Sequence, residues 1–266
     1  MIAAATTPVP LFFGPADSLY GVYHPPDASP RRAGAIVLCH PGGHEYLRVQ
    51  RIYRNAAVAL ARLGFAVLRF DYSGCGDSAG DGTESDLAAW SADLDAAIGE
   101  VQRRAGASRV ALAGVRLGAS LAWRAACDRQ DVDALVAWDP VMDGSAYVDE
   151  LLALEARWLA DPSRAKSARR TPGTLLGFAF PPRLEQSLRA LRIEPAGPRT
   201  AVFVVDSIDD PSRHSLRDRV QQVYGPKSYA VVPAFTDWDA AAAVHTAVYP
   251  PQFAQALGAV FAALVR

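Results

Sequence analysis

Cysteine is scarce in this 266-residue chain, with only Cys39, Cys75 and Cys127 present. Their odd number and the lack of any CxxC or metal-ligand spacing argue against a disulfide framework and a thiolate metal site. Lysine is scarcer still: Lys166 and Lys227 are the only two. An excess of one charge is also missing, since 27 Lys and Arg oppose 28 Asp and Glu for a net charge of -1. Such a balance offers no general attraction for nucleic acid or anionic lipid. No apolar run approaches the ~18 residues of a membrane helix. Met1 to Pro10 has no basic region followed by a long apolar core, which a secretion signal requires. The expectation is a cytoplasmic protein with no nucleic-acid partner, no membrane span, no metal and no cofactor.

What is present is an apolar half of the chain distributed in short runs. Gly34 to Cys39, Phe65 to Asp71, Val110 to Val115, Ala134 to Asp139, Thr200 to Asp206 and Ser228 to Pro233 read as strands buried on both faces. Leu11 to Tyr23 alternates around the turn Gly14-Pro-Ala-Asp17 and predicts two short antiparallel edge strands. Helical spacing marks Tyr46 to Leu63, stopped by Gly64, and a segment from Ser85 or Asp86 through Val101. Further helices are expected over Leu117 to about Asp128, Tyr147 to Leu159, Ser212 to Val223 and Phe253 to Val265. Strand and helix alternate up to Pro140, which implies an α/β fold with a mostly parallel, doubly wound sheet. The alternation lapses from Met142 to Pro198. The expected organisation is a core over 1–141 and 199–266, with 142–198 inserted as a helical cap.

The absence that matters most is a serine. Val110-Ala-Leu-Ala-Gly-Val-Arg-Leu-Gly-Ala-Ser120 is an apolar strand running through a glycine-flanked turn into a helix. Gly114-x-Arg116-x-Gly118 carries both glycines of the G-x-S-x-G nucleophile elbow, with arginine where the nucleophile belongs. A guanidinium is no acyl-accepting nucleophile, and its pKa above ~12 leaves no neutral form to act as a base. After the third strand stands His40-Pro-Gly-Gly-His44; after the fourth, Asp71-Tyr-Ser-Gly-Cys-Gly-Asp-Ser78.

This order of motifs resembles the α/β hydrolases, and the D-x-x-G-x-G-x-S loop resembles their serine-aminopeptidase-like branch. More narrowly, Gly74-Cys-Gly-Asp-Ser-Ala-Gly80, Gly114-Val-Arg-Leu-Gly-Ala119 and Trp138-Asp-Pro-Val-Met-Asp-Gly144 resemble exosortase A-associated hydrolases, in which arginine likewise occupies the elbow. The resemblance implies an α/β-hydrolase fold with a cap. It also implies an oxyanion hole from the Gly42-Gly43 loop and the Leu117 N–H, with His40 and His44 beside the substrate. An acid is implied after the sixth or seventh strand, where Asp139 and Asp210 compete, and a histidine after the last, for which His245 is the candidate. His24 and His214 read as structural or solvated. Ser120, Ser78, Cys75 and Cys39 occupy positions unsuited to replace the missing nucleophile; water activated by His245 is another route.

Two functions follow. In the first, an atypical enzyme acts on an ester, thioester or other acyl intermediate, small or carrier-bound, by hydrolysis, acyl transfer, cyclisation or lyase chemistry in a biosynthetic pathway. Arg116 would there anchor an anion at the helix N-terminus or stabilise developing charge, and His245 with Asp139 or Asp210 would move protons. In the second, the chain is a pseudo-hydrolase that binds or scaffolds a pathway enzyme, a carrier protein or a lipid, and Arg116 pairs with Asp139 or Asp210 as a plug. An Arg116 buried in ion pairs favours the second; an open pocket with His245 and a carboxylate near Arg116 favours the first. Homodimer formation is the generic expectation.

Overall fold

The computed structural model describes residues 7–27, 32, 34–161, 171–232, 238, 257, 258, 260 and 261. The chain opens with strands β1 (Val9–Phe13) and β2 (Leu19–His24), then β3 (Ala35–Cys39), helix α1 (Gly43–Arg62), β4 (Ala66–Phe70), α2 (Leu87–Ala105), β5 (Val110–Val115), α3 (Leu117–Asp128) and β6 (Val132–Trp138). There follow α4 (Gly144–Leu159), the short strands β7 (Thr174–Leu175) and β8 (Phe178–Ala179), α5 (Pro182–Arg189), β9 (Ala201–Asp206), α6 (His214–Tyr224) and β10 (Tyr229–Val231). Among the described residues, eight strands form one sheet in the order β1-β2-β4-β3-β5-β6-β9-β10. From β4 to β10 every neighbouring pair is parallel, and β1 and β2 add the antiparallel edge.

The layering follows from the apolar runs. Every residue of β3 and β5 is buried, as strands covered on both faces must be. One layer of core joins α2 and α3 to the sheet through Trp90, Leu94, Ile98, Leu121 and Trp123. The other packs Val49, Ile52, Ala56 and Leu60 of α1 on Ile36, Leu38, Ala111 and Val136. Asp86, not Ser85, caps α2, accepting the Ala89 N–H at 2.8 Å. The proposed closing helix, 253–265, lies mostly outside the described residues, although 257, 258, 260 and 261 are helical. Between β6 and β9, α4, the β7–β8 hairpin and α5 lie over the carboxyl edge of the parallel strands; the basic stretch 163–170 lies outside the described residues. No described helix is long and apolar enough to cross a membrane.

Candidate functional site

The elbow forms as its glycines require. Gly114 has Gly118 and Ala119 backbone against it, and a Cβ on Gly118 would overlap the carbonyl oxygens of Cys39 and His40. Only two hydrogens in place of side chains let α3 start that close to β5 and β3. Between them Arg116 takes φ 52° and ψ -124°, a strained backbone for a residue with a Cβ. Its N–H donates to Trp138 O at 2.9 Å. The strained apex of the motif therefore survives with the wrong side chain on it.

That side chain is almost fully buried and ion-paired. Arg116 Nε donates to Glu45 Oε1 at 2.8 Å and Nη2 to Glu150 Oε1 at 2.5 Å. The guanidinium carbon lies 5.2 Å from the Tyr147 ring centre and 5.6 Å from that of Trp238. Tyr147 Oη in turn donates to Glu45 Oε2 at 2.8 Å. Burial alone would lower the Arg116 pKa, but Glu45, Glu150 and Tyr147 outweigh it and push it above the ordinary arginine value. The charge is locked on, and two carboxylates already face it. Asp139 and Asp210, the partners expected from the sequence, make no ion pair with Arg116: its reach is toward α1 and α4, which carry Glu45 and Glu150.

Asp139 ends β6 at φ 43°, again a conformation that side chains rarely take. Its Oδ1 accepts the Ser207 N–H at 2.8 Å; its Oδ2 accepts Ser207 Oγ at 2.5 Å and Trp238 Nε1 at 2.8 Å. Burial raises its pKa, opposed by those bonds and by the nearby Arg116 charge. Asp210 caps a short 3-10 turn, taking the Ser212 N–H at 2.9 Å, and that bond holds its pKa down. Asp139, Asp210, Arg116 and Glu150 all line one cavity of about 510 Å³. His245 lies outside the described residues.

On the other side of Tyr147 is a second cavity, of about 250 Å³. Gly42, Gly43, His44 and Leu117, all four expected from the sequence on the oxyanion side, are among its lining residues. Its walls are apolar: Trp90, Leu151, Leu175, Phe180, Leu184 and Leu188 among them, several from the segment between β6 and β9. His40 lines neither cavity. Its Nδ1 sits 2.6 Å from Pro41 O and its ring is packed between Tyr46 and Tyr72, with centroids at 4.5 and 4.8 Å. Burial lowers its pKa. The His40 ring is thus part of an aromatic cluster, away from both cavities, and not among the groups that line them.

The substitute nucleophiles are otherwise engaged. Ser120 Oγ donates to Val141 O at 2.6 Å, and Ser78 Oγ to Asp71 O at 2.6 Å while accepting the Tyr20 N–H at 2.8 Å. Cys39 is wholly buried. Cys75 lines the apolar cavity, but burial, with Asp71 and Asp93, pushes its thiol up to about 12. Among the described residues no group of three or more His, Cys, Asp or Glu is arranged to hold a metal ion. Glu45, Tyr147 and Glu150 were not apparent in sequence as site residues. Glu45 had a signal, a carboxylate directly after His44 in the glycine-rich loop; Glu150 had none beyond its place on an amphipathic helix.

Residues 30–176 match the family model of the serine aminopeptidases, S33. The chain belongs to that family. No curated protein sequence matches it. Solved structures share its fold at low identity. The Pyrococcus furiosus esterase Pf2001 is 17% identical with a TM-score of 0.64, over 98% of this chain and 91% of that one. The alpha/beta hydrolase domain-containing protein 10 from mouse is 18% identical with a TM-score of 0.55, over 96% and 99%. An α/β serine hydrolase without lid from Xanthomonas campestris is 19% identical with a TM-score of 0.52, over 85% and 84%. The fold is that of an α/β hydrolase, and this member of the serine aminopeptidase family has no serine at its elbow.

Proposed function

We propose that this chain is an acyl-binding member of its family, in which an ionic plug stands where the nucleophile would be and no acyl-enzyme forms. The observation that carries the reading is the burial of Arg116 between Glu45 and Glu150, set beside an apolar cavity that reaches the oxyanion-side loop. A guanidinium already facing two carboxylates has little left to offer an incoming anion, so the anchoring role is disfavoured. The apolar cavity instead suits a hydrocarbon chain, since burying apolar surface yields about 25 cal/mol per Å². The acyl group would lie with its carbonyl toward Gly42, Gly43 and Leu117. Its source is a small ester or thioester, or a carrier-bound acyl intermediate of a biosynthetic pathway.

A second reading keeps chemistry without serine on such esters and thioesters. Its specific support is Asp139, a buried carboxyl with a raised pKa on a strained backbone beside Arg116. Perturbed carboxyls of this kind mark proton-transfer sites more often than chance. One experiment separates the two. Binding of octanoate to the purified full chain is followed by tryptophan fluorescence, Trp90 being in the cavity wall, and turnover of p-nitrophenyl octanoate and an octanoyl thioester is assayed alongside. Acyl binding predicts saturable fluorescence change, at least 10-fold weaker in Ala179→Trp, and no turnover above the uncatalysed rate. Turnover by the wild type that drops ~100-fold in Asp139→Asn, the usual size of a lost proton-transfer group, would instead establish the second reading. Absence of saturable binding would sink the first.

A further inference from the structure

A third cavity, of about 470 Å³, shares no lining residue with the acyl cavity. It is built from two stripes. Tyr20, Val22 and His24 alternate along one face of β2, and Arg69 of β4, in register with Val22, joins that face. Arg54, Val58 and Arg62 follow one another at helical spacing on α1 and form the facing wall. Three guanidiniums therefore look into one groove, against one lining carboxylate, Asp27.

None of the three arginines has an ion pair among the described residues, and the single hydrogen bond of Arg69 runs from Nε to His24 Nε2 at 3.4 Å. Arg69 is half-buried, and burial lowers its pKa, opposed by Tyr20, Asp71 and Tyr46 and aided slightly by Arg54. His24, itself buried, is pushed down to about 4 by burial and then by Arg69 and Arg54. It is a neutral acceptor at pH 7 and adds no counter-charge. Two other buried or half-buried arginines do have carboxylate partners, Arg116 in Glu45 and Arg213 in Asp206. Here no described residue supplies one.

We infer that this groove binds a phosphate monoester whose organic part is flat or apolar. A guanidinium fork binds phosphate oxygens two at a time, and a dianion matches several unpaired cations better than a carboxylate does. The Tyr20 ring, Val22, Val58 and the prolines at 8, 10 and 25 line the rest of the groove and take the organic group.

The test is isothermal titration of the full chain with phenyl phosphate, inorganic phosphate and benzoate, repeated on Arg69→Gln, Arg54→Ala and the distant exposed control Arg219→Ala. Phenyl phosphate is expected to bind once per chain, at least 10-fold tighter than inorganic phosphate or benzoate. Arg69→Gln should weaken it at least 10-fold and Arg54→Ala several-fold, with Arg219→Ala unchanged. Arg54 is exposed on α1, so its variant keeps the fold even where Arg69→Gln does not. No saturable binding, binding that survives in Arg54→Ala at full strength, or an equal loss in Arg219→Ala overturns the assignment. Equal affinity for inorganic phosphate overturns the organic subsite.

Discussion

The two cavities that meet at Tyr147 share a wall and differ in kind. One is lined by leucines, aromatics and the glycines of the oxyanion-side loop; the other by Arg116, Asp139, Glu150 and Asp210. On the apolar side Gly42, Gly43 and Leu117 line the cavity together with the apolar side chains of α4 and α5. On the polar side the apex of the elbow keeps its strained backbone but carries a cation bound to two carboxylates. The difference teaches that in this fold the backbone of the elbow and the side chain it carries are separable. The backbone of the elbow is held by Gly114, Gly118 and the strand behind them, so the identity of residue 116 can change without dismantling the cavity next door.

The largest effect that would break the contrast concerns Cys75, on the apolar side. With its pKa pushed up from 9.0 to about 12, the thiol is ionised in only about one molecule in ten thousand at pH 8. Its alkylation by iodoacetamide, mapped by mass spectrometry, should run about a thousand-fold slower than that of an ordinary exposed thiol. The sign follows from the raised pKa: reactivity climbs about tenfold per pH unit until the folded value is reached. A rate at pH 8 close to that of a small free thiol would show the cavity to be wet and open, and the apolar side of the comparison would fail.

On the polar side the corresponding substitution is Glu45→Ala. It leaves a buried guanidinium with only the partly exposed Glu150, and loss of one partner of a buried pair costs about 3–5 kcal/mol. Urea denaturation should show that loss, and the double variant Glu45→Ala with Arg116→Leu should recover at least half of it. A single-variant cost under about 1 kcal/mol would mean that Arg116 is not a plug but an exchangeable surface charge.

The contrast itself was only half legible in the sequence. The strands of the parallel sheet and the elbow are written locally, in apolar runs and in two glycines flanking one position, and the structure reproduces them with boundaries moved by a few residues. The plug is not local. Glu45 lies 71 residues before Arg116, and Glu150 lies 34 after it on a helix of the segment over the sheet edge. No periodicity links them, so the sequence points instead to Asp139 and Asp210, at positions where the resemblance implies an acid. The placement of the His40 ring is hidden for a related reason: it depends on Tyr46 and Tyr72, which only packing brings together.

The smallest effect separates the two sides most finely. Glu150 is about a third exposed, with 31% of its side-chain surface open to solvent, whereas Glu45 shows 1%. A partly solvated pair is worth ~1 kcal/mol or less and weakens with salt, so Glu150→Gln should lower stability by no more than that, and less again at 1 M NaCl. Because Glu150 lines only the polar cavity, octanoate affinity should stay within about threefold of the wild type. Tyr147 and Leu151 of the same helix do line the apolar cavity, so a larger change would mean that the ion pair sets the position of α4 over the acyl group. The two cavities would then be one device, with the charge of Arg116 controlling access to the apolar side.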